Sequence, residues 1–360
     1  MTGTGPDRVF ARAAPSPQPA STSTSRELDV VICTYDNPHL LGRVLAALGC
    51  QEPVGGDWGV LVVDNNSGDE TREVIARHVA LGDVPALRRV DEPRQGLTWA
   101  RLRGVASTSA PWIAFVDDDC VLGRRWVERA VAFARSHPGC AAFGGRVVPT
   151  YEVEPPPVVR RYGWAFAEQD LGDETIAVDC LVGAGMVVNR AALQATGWTD
   201  GPYFADRVGR RLTSGGDVEI ALRLAGTGHP LLYTPSCEMR HVIPPHRTAM
   251  PYLVSMTRGL GVAWSLANAL TWSGSRVTWA RSAPRALIRS LFPLLGLVRA
   301  VPRGPEARKD LVLATSYEWG RWLGTARIAL LVATSRCTFF GVARPVPGHD
   351  GRGADAVRAG

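Results

Sequence analysis

Short apolar runs, rich in β-branched residues, alternate with helical patterns from residue 28 onwards. The runs lie at 29–33, 59–63, 87–90 and 112–116, and the helical patterns between them lie at 38–47, 70–79 and 96–107. Strands that alternate with helices in this way are typical of βαβ units, in which helices cover a mostly parallel sheet. We therefore predict an α/β fold built on such a sheet.

Differences in amino-acid composition divide the chain into four predicted segments. Residues 1–26 are rich in Ala, Pro, Ser and Thr and lack the unbroken apolar core of a secretory signal, so we expect a disordered arm. A central domain is predicted at 27–248 and a helical, basic and apolar region at 249–342. Residues 343–360 are rich in Gly, Pro and Arg, which favours a disordered tail. No apolar run reaches the length of a membrane-spanning helix.

The charge and the cysteine content of the chain give no indication of a nucleic-acid-binding, zinc-binding or disulfide-rich protein. The formal net charge is +6, but Lys309 is the only lysine among the 40 basic residues, and this arginine bias gives no reason to expect a nucleic-acid partner. The seven cysteines are widely spaced and form no Cys-x-x-Cys pair, so neither a zinc site nor a disulfide framework is indicated. We expect a cytoplasmic protein.

Three consecutive aspartates end the fourth apolar run. Like charges at the end of a buried strand persist only where a cation or a set of donors neutralises them. Residues two apart share one face of an extended segment, so Asp117 and Asp119 would face the same ion and Asp118 would point elsewhere. Oxygen ligands favour Mg²⁺ or Mn²⁺, which keep open positions for substrate phosphates. An exposed acidic turn is the alternative.

Asp64 also ends an apolar run, where the carboxyl ends of parallel strands form a crevice. Its carboxylate could accept hydrogen bonds from a ribose hydroxyl or from the imide N–H of a base. Equally, it could cap the turn that follows, at 65–68.

Four sequence blocks, taken in order, resemble the family 2 glycosyltransferases of the GT-A fold. They are 30–37 (VVICTYDN), 62–67 (VVDNNS), 93–101 (PRQGLTWAR) and 115–119 (FVDDD). Two later blocks continue the resemblance, 214–220 (SGGDVEI) and the segment 235–247. The resemblance covers about residues 28–265. It implies a GT-A type, Rossmann-like sheet flanked by helices, with 27–248 as the catalytic domain and a helical C-terminal extension.

The resemblance also implies roles for individual residues. The nucleotide-sugar donor would be held by residues of several blocks, namely Thr34, Tyr35, Asp64, Arg101, Asp117, Asp118 and Arg247. The metal ion, Mn²⁺ or Mg²⁺, would be held by Asp117, Asp119 and His241. Asp217 would be the catalytic base, which takes the proton of the acceptor hydroxyl while the metal stabilises the departing diphosphate, with inversion at the sugar. A histidine in a segment like 235–247 is otherwise more often a packed side chain.

Two positions depart from what is usual in the family. Leu102 stands where many members have Asn, and Gly216 stands where an acidic residue often precedes the catalytic Asp. Glu219 is thus a rival base, but residues two apart do not share a helix face, so only one of the two carboxylates should point at the substrate. We expect Asp217 to be the base, and Glu219 to hold an arginine or a loop.

The C-terminal region has a basic stripe beside a broad apolar surface. Arg281, Arg285 and Arg289 recur every fourth residue, and apolar residues dominate 287–298. Such helices lie at membrane surfaces, so we expect contact of 281–300 with the inner face of the cell membrane. Packing on the catalytic domain or on a second subunit is the alternative, and Pro293 weakens the helix.

The sequence therefore predicts a metal-assisted, inverting glycosyltransferase that moves a sugar from a nucleoside diphosphate to an acceptor hydroxyl. The acceptor could be a cell-envelope glycan, a lipid carrier or a secondary metabolite. Two alternatives remain. The first is a polyprenyl-phosphate sugar synthase on a similar sheet, and the second is a glycan-binding or scaffold protein on a degenerate transferase fold. The retained acids, Asp64, Asp117, Asp119 and Asp217, favour an enzyme.

Overall fold

The computed structural model describes residues 26–55, 57–204, 206–207, 212, 214–289 and 304–334. The predicted tail, nearly all of the predicted arm and the segment 290–303 lie outside these residues. The strands are β1 (Leu28–Thr34), β2 (Trp58–Asp64), β3 (Arg88–Asp91), β4 (Trp112–Asp117), β5 (Cys120–Leu122), β6 (Ala142–Gly144), β7 (Val147–Tyr151), β8 (Ile176–Val178), β9 (Met186–Asn189), β10 (Leu231–Tyr233) and β11 (Met239–Ile243).

The helices occupy the segments between these strands and most of the C-terminal part. They are α1 (Pro38–Gly49), α2 (Asp69–Leu81), α3 (Leu97–Ala106), α4 (Trp126–Ser136), α5 (Pro157–Arg160), α6 (Arg190–Ala195), α7 (Gly216–Ala225), α8 (Met250–Leu270), α9 (Arg276–Arg289) and α10 (Pro305–Ala333). Short 3₁₀ turns lie at Gly163–Phe166 and Pro245–Thr248.

Eight strands form a mixed sheet in the order β3-β2-β1-β4-β9-β6-β10-β8. The four strands β3, β2, β1 and β4 are mutually parallel, whereas β9 runs antiparallel to both β4 and β6. A second sheet, β5-β11-β7, lies beside it. The predicted α/β class, with helices around a large central sheet and a helical C-terminal region, is confirmed. The segment 140–148 is divided between β6, in the first sheet, and the start of β7, in the second.

The strands β1, β2 and β4 are mostly apolar and buried because helices cover both faces of the sheet. Val30 and Ile32 face one apolar cluster, which α1 and α4 complete. Val31, one residue along, faces the other cluster, with side chains of α3 and α7. Because β1, β2 and β4 are parallel, their last residues, Thr34, Asp64 and Asp117, come to the same edge of the sheet.

The C-terminal helices pack on the rest of the protein. Leu313 of α10 shares an apolar cluster with Val158 and Leu253, and Phe204 packs among residues of α8, α9 and α10. Arg161 forms a two-pronged ion pair with Asp310 of α10. None of the helices in the described segments combines the length and apolar character needed to cross a bilayer.

Candidate functional site

A cleft of about 340 Å³ opens at the carboxyl ends of the parallel strands. It brings together most of the residues that the sequence singles out. These are Thr34, Tyr35, Asp117, Asp118, Asp119, His241 and Arg247. Asp64, Arg101 and Asp217 do not line this cleft. The cleft therefore combines residues from β1, the β4–β5 turn, β11 and the segment that follows β11.

The first β-strand fixes Asp118. Thr34 Oγ1 donates to one carboxylate oxygen of Asp118 at 2.6 Å, and Asn37 Nδ2 donates to the other at 2.9 Å. Burial, and then the negative charge of Asp119, nevertheless raise the pKa of Asp118. Asn37 directly precedes α1, but its side chain makes no capping hydrogen bond to that helix and contacts Asp118 instead.

Asp119 is buried among cationic groups. Arg247 Nη1 donates to its Oδ2, and His241 Nε2 lies 3.4 Å from its Oδ1. Burial would raise the pKa of Asp119, but His241 and Arg247 together hold it well below its usual range. Asp119 is thus an ionised carboxylate inside the protein, where an unpaired charge would be very costly.

His241 is oriented by a carbonyl behind it. Its Nδ1 lies 2.6 Å from the carbonyl oxygen of Phe166, which can only accept, so Nδ1 carries a hydrogen and Nε2 faces Asp119. A bare Nε2 and a carboxylate oxygen would both present lone pairs, so a proton or a cation must lie between them. Burial would lower the pKa of His241, but the negative charge of Asp119 outweighs burial and raises it.

Asp119, Cys120 and His241 place three ligand atoms within 4.8 Å of one another, all buried. The Cys120 thiol donates to Asp119 Oδ1, and burial raises its pKa well above the usual value. A thiol held protonated is a poor metal ligand. The carboxylate of Asp119 and Nε2 of His241 are therefore the atoms of this group that fit a divalent cation.

Asp117 lies apart from this group of ligand atoms. The same-face argument requires an extended segment, but β4 ends at Asp117 and a turn follows at residues 118–119. The carboxylate of Asp117 instead lies 3.8 Å from Arg101 Nη2. Metal ligation by Asp117 stays a prediction.

Arg101 is buried behind the cleft. Its guanidinium lies near Asp117 on one side and 3.7 Å from Asp206 on another. Burial would lower its pKa, but the charges of Asp117, Asp217 and Asp206 outweigh burial and raise it. Arg101 is therefore a buried positive charge that offsets the negative charges of these three carboxylates.

Asp64 is buried and both its oxygens have partners. Ser67 donates its backbone N–H to Oδ1 at 2.8 Å, and Arg72 Nε donates to Oδ2 at 3.3 Å. This is the turn-capping contact that the sequence allows, and a donor-binding role for Asp64 stays a prediction. Its neighbour Asn65 does line the cleft, and holds the 92–96 loop through bonds to the carbonyls of Glu92 and Arg94.

Asp217 lies in the first turn of α7. Gly183 donates its backbone N–H to Asp217 Oδ2 at 3.0 Å, and a Cβ at residue 183 would lie 2.7 Å from the Cβ of Asp217. Glycine at residue 183 therefore allows the backbone there to lie against the first turn of α7. Asp217 is half-buried, as a base that must reach a substrate needs to be.

Glu219 holds both an arginine and a loop, as predicted. It forms a buried ion pair with Arg223 at 2.7 Å and accepts hydrogen bonds from the backbone N–H groups of Tyr203 and Phe204. Its side chain is fully buried. Glu219 therefore stabilises the segment before α7 and is not open to a substrate.

Sequence reasoning missed Asp206 and Asn65. Nothing in the sequence around Asp206 indicates that it is buried beside Arg101. Asn65 follows Asp64 directly, and the turn cluster in which it lies was the available signal.

Comparisons with known proteins show which proteins the chain resembles. The family model "Glycosyl transferase family 2" matches residues 29–196. Glycosyltransferase AglE of Haloferax volcanii is 28% identical over 212 residues, which cover 59% of this chain and 66% of that protein. Validoxylamine A glucosyltransferase of Streptomyces hygroscopicus subsp. limoneus is 30% identical over 257 residues, which cover 64% and 54%. The chain thus spans about half to two thirds of the length of these curated relatives.

Among solved structures, the mannosyltransferase PcManGT from Pyrobaculum calidifontis, in complex with GDP-Man and Mn²⁺, aligns with a TM-score of 0.49 at 17% identity. The alignment covers 93% of this chain and 81% of that one.

Proposed function

We propose that the chain, whose residues 29–196 match the family model "Glycosyl transferase family 2", moves a sugar from a nucleoside-diphosphate sugar to an acceptor hydroxyl, with inversion. The observation that carries the proposal is the cluster of Asp119, His241 and Arg247 in the cleft at the strand ends. Carboxylate and imidazole can hold a divalent cation, and a forked guanidinium beside them can bind a diphosphate.

The cleft residues would bind and orient the donor. Thr34 and Tyr35, at the end of β1, would contact the nucleoside, and Arg247 would turn from Asp119 to the diphosphate when a cation takes its place. Asp119 and His241 would hold Mn²⁺ or Mg²⁺, and the imidazole ligand favours Mn²⁺ because Mg²⁺ prefers oxygen. A bound divalent ion stabilises the negative charge that develops on the diphosphate as it leaves.

Asp217 would accept the proton of the acceptor hydroxyl. The hydrogen bond from Gly183 to Oδ2 fixes the carboxylate, and the acceptor oxygen would attack the anomeric carbon as its proton moves to Asp217. One carboxylate is sufficient because the diphosphate is already a good leaving group. A single displacement of this kind inverts the configuration at the sugar.

A small hydroxylated metabolite is the acceptor that the curated similarity favours, since one relative is named a validoxylamine A glucosyltransferase. Envelope glycans and lipid carriers are the other acceptors to test. A polyprenyl-phosphate acceptor would make the chain a lipid-phosphate sugar synthase, and a glycan-binding scaffold would bind sugar without transferring it.

The decisive experiment measures nucleoside diphosphate release from UDP-, TDP- and GDP-sugars with Mn²⁺, across a panel of these acceptors. Asp217→Asn should abolish transfer while leaving Mn²⁺-dependent donor binding unchanged. Glu219→Gln is the matched control, because it keeps an oxygen for the Tyr203 and Phe204 N–H groups and should retain turnover. Transfer by Asp217→Asn, with loss in Glu219→Gln, would make Glu219 the base. Sugar binding by wild type with no transfer to any acceptor would favour the scaffold.

We also propose that the protein is cytoplasmic and contacts the inner face of the membrane through its C-terminal helices. Val312, Trp319 and Leu330 are exposed on α10, and their spacings of 7 and 11 residues bring them to one face of the helix. Trp319 stacks on Trp322 with the ring planes 2° apart. On α9, Arg281 and Arg285 are also exposed, and such cations suit anionic headgroups.

A further inference from the structure

A buried carboxylate that the proposed reaction does not use lies against the start of α7. Asp206 is 3% exposed, and its Oδ2 accepts a hydrogen bond from the backbone N–H of Gly216 at 2.8 Å. Its other oxygen, Oδ1, is buried and has no hydrogen-bond partner among the described residues. Keeping a carboxylate in such a place costs free energy, so its contact with α7 calls for an explanation.

Asp206 caps the helix that carries Asp217. The first backbone N–H groups of a helix have no partner within the helix, and the preceding residue usually provides a side-chain oxygen. Gly215, which occupies that position, has no side chain, and its φ of 125° favours glycine. Asp206 therefore supplies from another segment the oxygen that α7 lacks.

Residue 216 must be glycine while Asp206 stays in place. A Cβ at residue 216 would overlap Asp206 Oδ2. The carboxylate of Asp206 thus contacts the backbone of Gly216, the residue directly before Asp217. A larger side chain at residue 216 would displace Asp206, and loss of Asp206 would release the backbone of Gly216.

The opposite side of Asp206 is anchored to α3. Its backbone N–H donates to Thr98 Oγ1 at 3.0 Å, and its carbonyl oxygen accepts from the N–H of Leu97 at 3.0 Å. The helix α3 also carries Arg101, whose guanidinium lies 3.7 Å from Asp206 and 3.8 Å from Asp117. Asp206 therefore connects the donor side of the site to the first turn of α7.

We propose that Asp206 is a positioning residue for Asp217: it fixes the first turn of α7, and so the base, relative to Arg101 and Asp117. The inference rests on the proposed function, because it requires Asp217 to receive the acceptor's proton. Displacement of a reacting group by about 1 Å can cost roughly a hundredfold in rate. The cap therefore acts on turnover, whereas donor binding depends on the cleft residues.

Charge is a second link between the two residues. Burial, and then the negative charge of Asp217, raise the pKa of Asp206 to about 7, against the opposing effects of Arg101 and the Gly216 N–H. This coupling agrees with the close approach of the two carboxylates, which the hydrogen bonds and the Gly216 contact establish independently.

The test compares kcat and the donor KM of two variants of Asp206. Asp206→Ala removes the cap and should lower kcat by roughly a hundredfold with the donor KM within about twofold. Asp206→Asn keeps an oxygen for the Gly216 N–H and should restore most of the rate. Asp29→Ala is the matched control, because Asp29 is a buried carboxylate near the backbone N–H groups of Ser109 and Ala110, remote from the cleft. Rates are scaled by the folded fraction.

Equal kcat values for Asp206→Ala and Asp29→Ala would overturn the inference, as would a change confined to the donor KM. If Asp206→Ala does not fold, Gly216→Ala disturbs the same contact with Asp206 present, and unchanged turnover in that variant would overturn it as well. Asp217→Asn separates the two proposals. If that variant transfers sugar, the proposed base is wrong, whereas if it is inactive and Asp206→Ala is fully active, only the role of Asp206 is wrong.

Discussion

At the residue scale, the site depends on how buried charges are paired. Asp119 is ionised because His241 and Arg247 lie against it, whereas burial, and then the negative charge of Asp119, raise the pKa of Asp118. Two adjacent carboxylates of one turn thus have opposite pKa shifts. Asp119, which is ionised, is therefore the better ligand for a divalent cation.

Cys120 offers a direct test of which atoms hold the cation. Because the raised pKa of the thiol keeps it protonated, Cys120→Ala should leave the Kd for Mn²⁺, measured by calorimetry, within about twofold. Asp119→Asn removes the charged ligand and should weaken Mn²⁺ binding at least about a hundredfold, the scale of a buried charge interaction of about 3 kcal/mol. A loss of Mn²⁺ binding in Cys120→Ala would instead make the thiolate a ligand.

At the element scale, the sequence predicts the strands that build the cleft, but not the contacts between loops and helices. Runs such as 59–63 are apolar because both faces are covered, and parallel strands bring Asp64 and Asp117 to one edge. Asp119 and Arg247 are 128 residues apart, and their pairing depends on how β11 lies beside β5. The cap of α7 by Asp206 could not be predicted from the sequence either, because a helix normally takes its cap from the residue just before it.

Close packing of α8 on α10 predicts an unusual substitution effect. Glycine to alanine inside a helix normally stabilises by up to about 1 kcal/mol, but a Cβ at residue 320 would overlap the carbonyl oxygen of Arg258 on α8. Gly320→Ala should therefore lower the free energy of unfolding by about 1–3 kcal/mol, as overpacking does. Urea denaturation measures this change.

Gly42 on α1 provides the matched control for Gly320→Ala. A Cβ there would meet only Val74 Cγ1, at an ordinary 3.6 Å, so Gly42→Ala should stabilise the protein. Stabilisation by both substitutions would contradict the close approach of α8 and α10.

At the scale of the whole molecule, the C-terminal helices have two different sides. One side packs on the central domain through Leu313 and the Arg161–Asp310 pair. The other exposes Trp319 and Leu330. The two interpretations of this region from sequence, packing on the domain and contact with a membrane, are therefore compatible, because they use different faces of α10.

Vesicle binding tests the exposed side. The full chain should co-sediment with vesicles that contain anionic lipid and bind zwitterionic vesicles more weakly, because arginines accompany the apolar face. Replacing Trp319 and Leu330 by Gln removes apolar area without changing net charge, and should weaken binding about tenfold, since a partly inserted large side chain contributes about 1 kcal/mol or more.

The matched control replaces Val79 and Leu81 of α2, which are 49% and 65% exposed against 45% for Trp319 and 65% for Leu330. The helix α2 packs against α1 and contributes no residue to the exposed face of α10. This control should therefore bind vesicles like the wild type. Equal loss in both double variants would show that general surface hydrophobicity, and not the face of α10, drives binding. Absence of binding to anionic vesicles by the wild type would leave the exposed face of α10 without the membrane contact proposed for it.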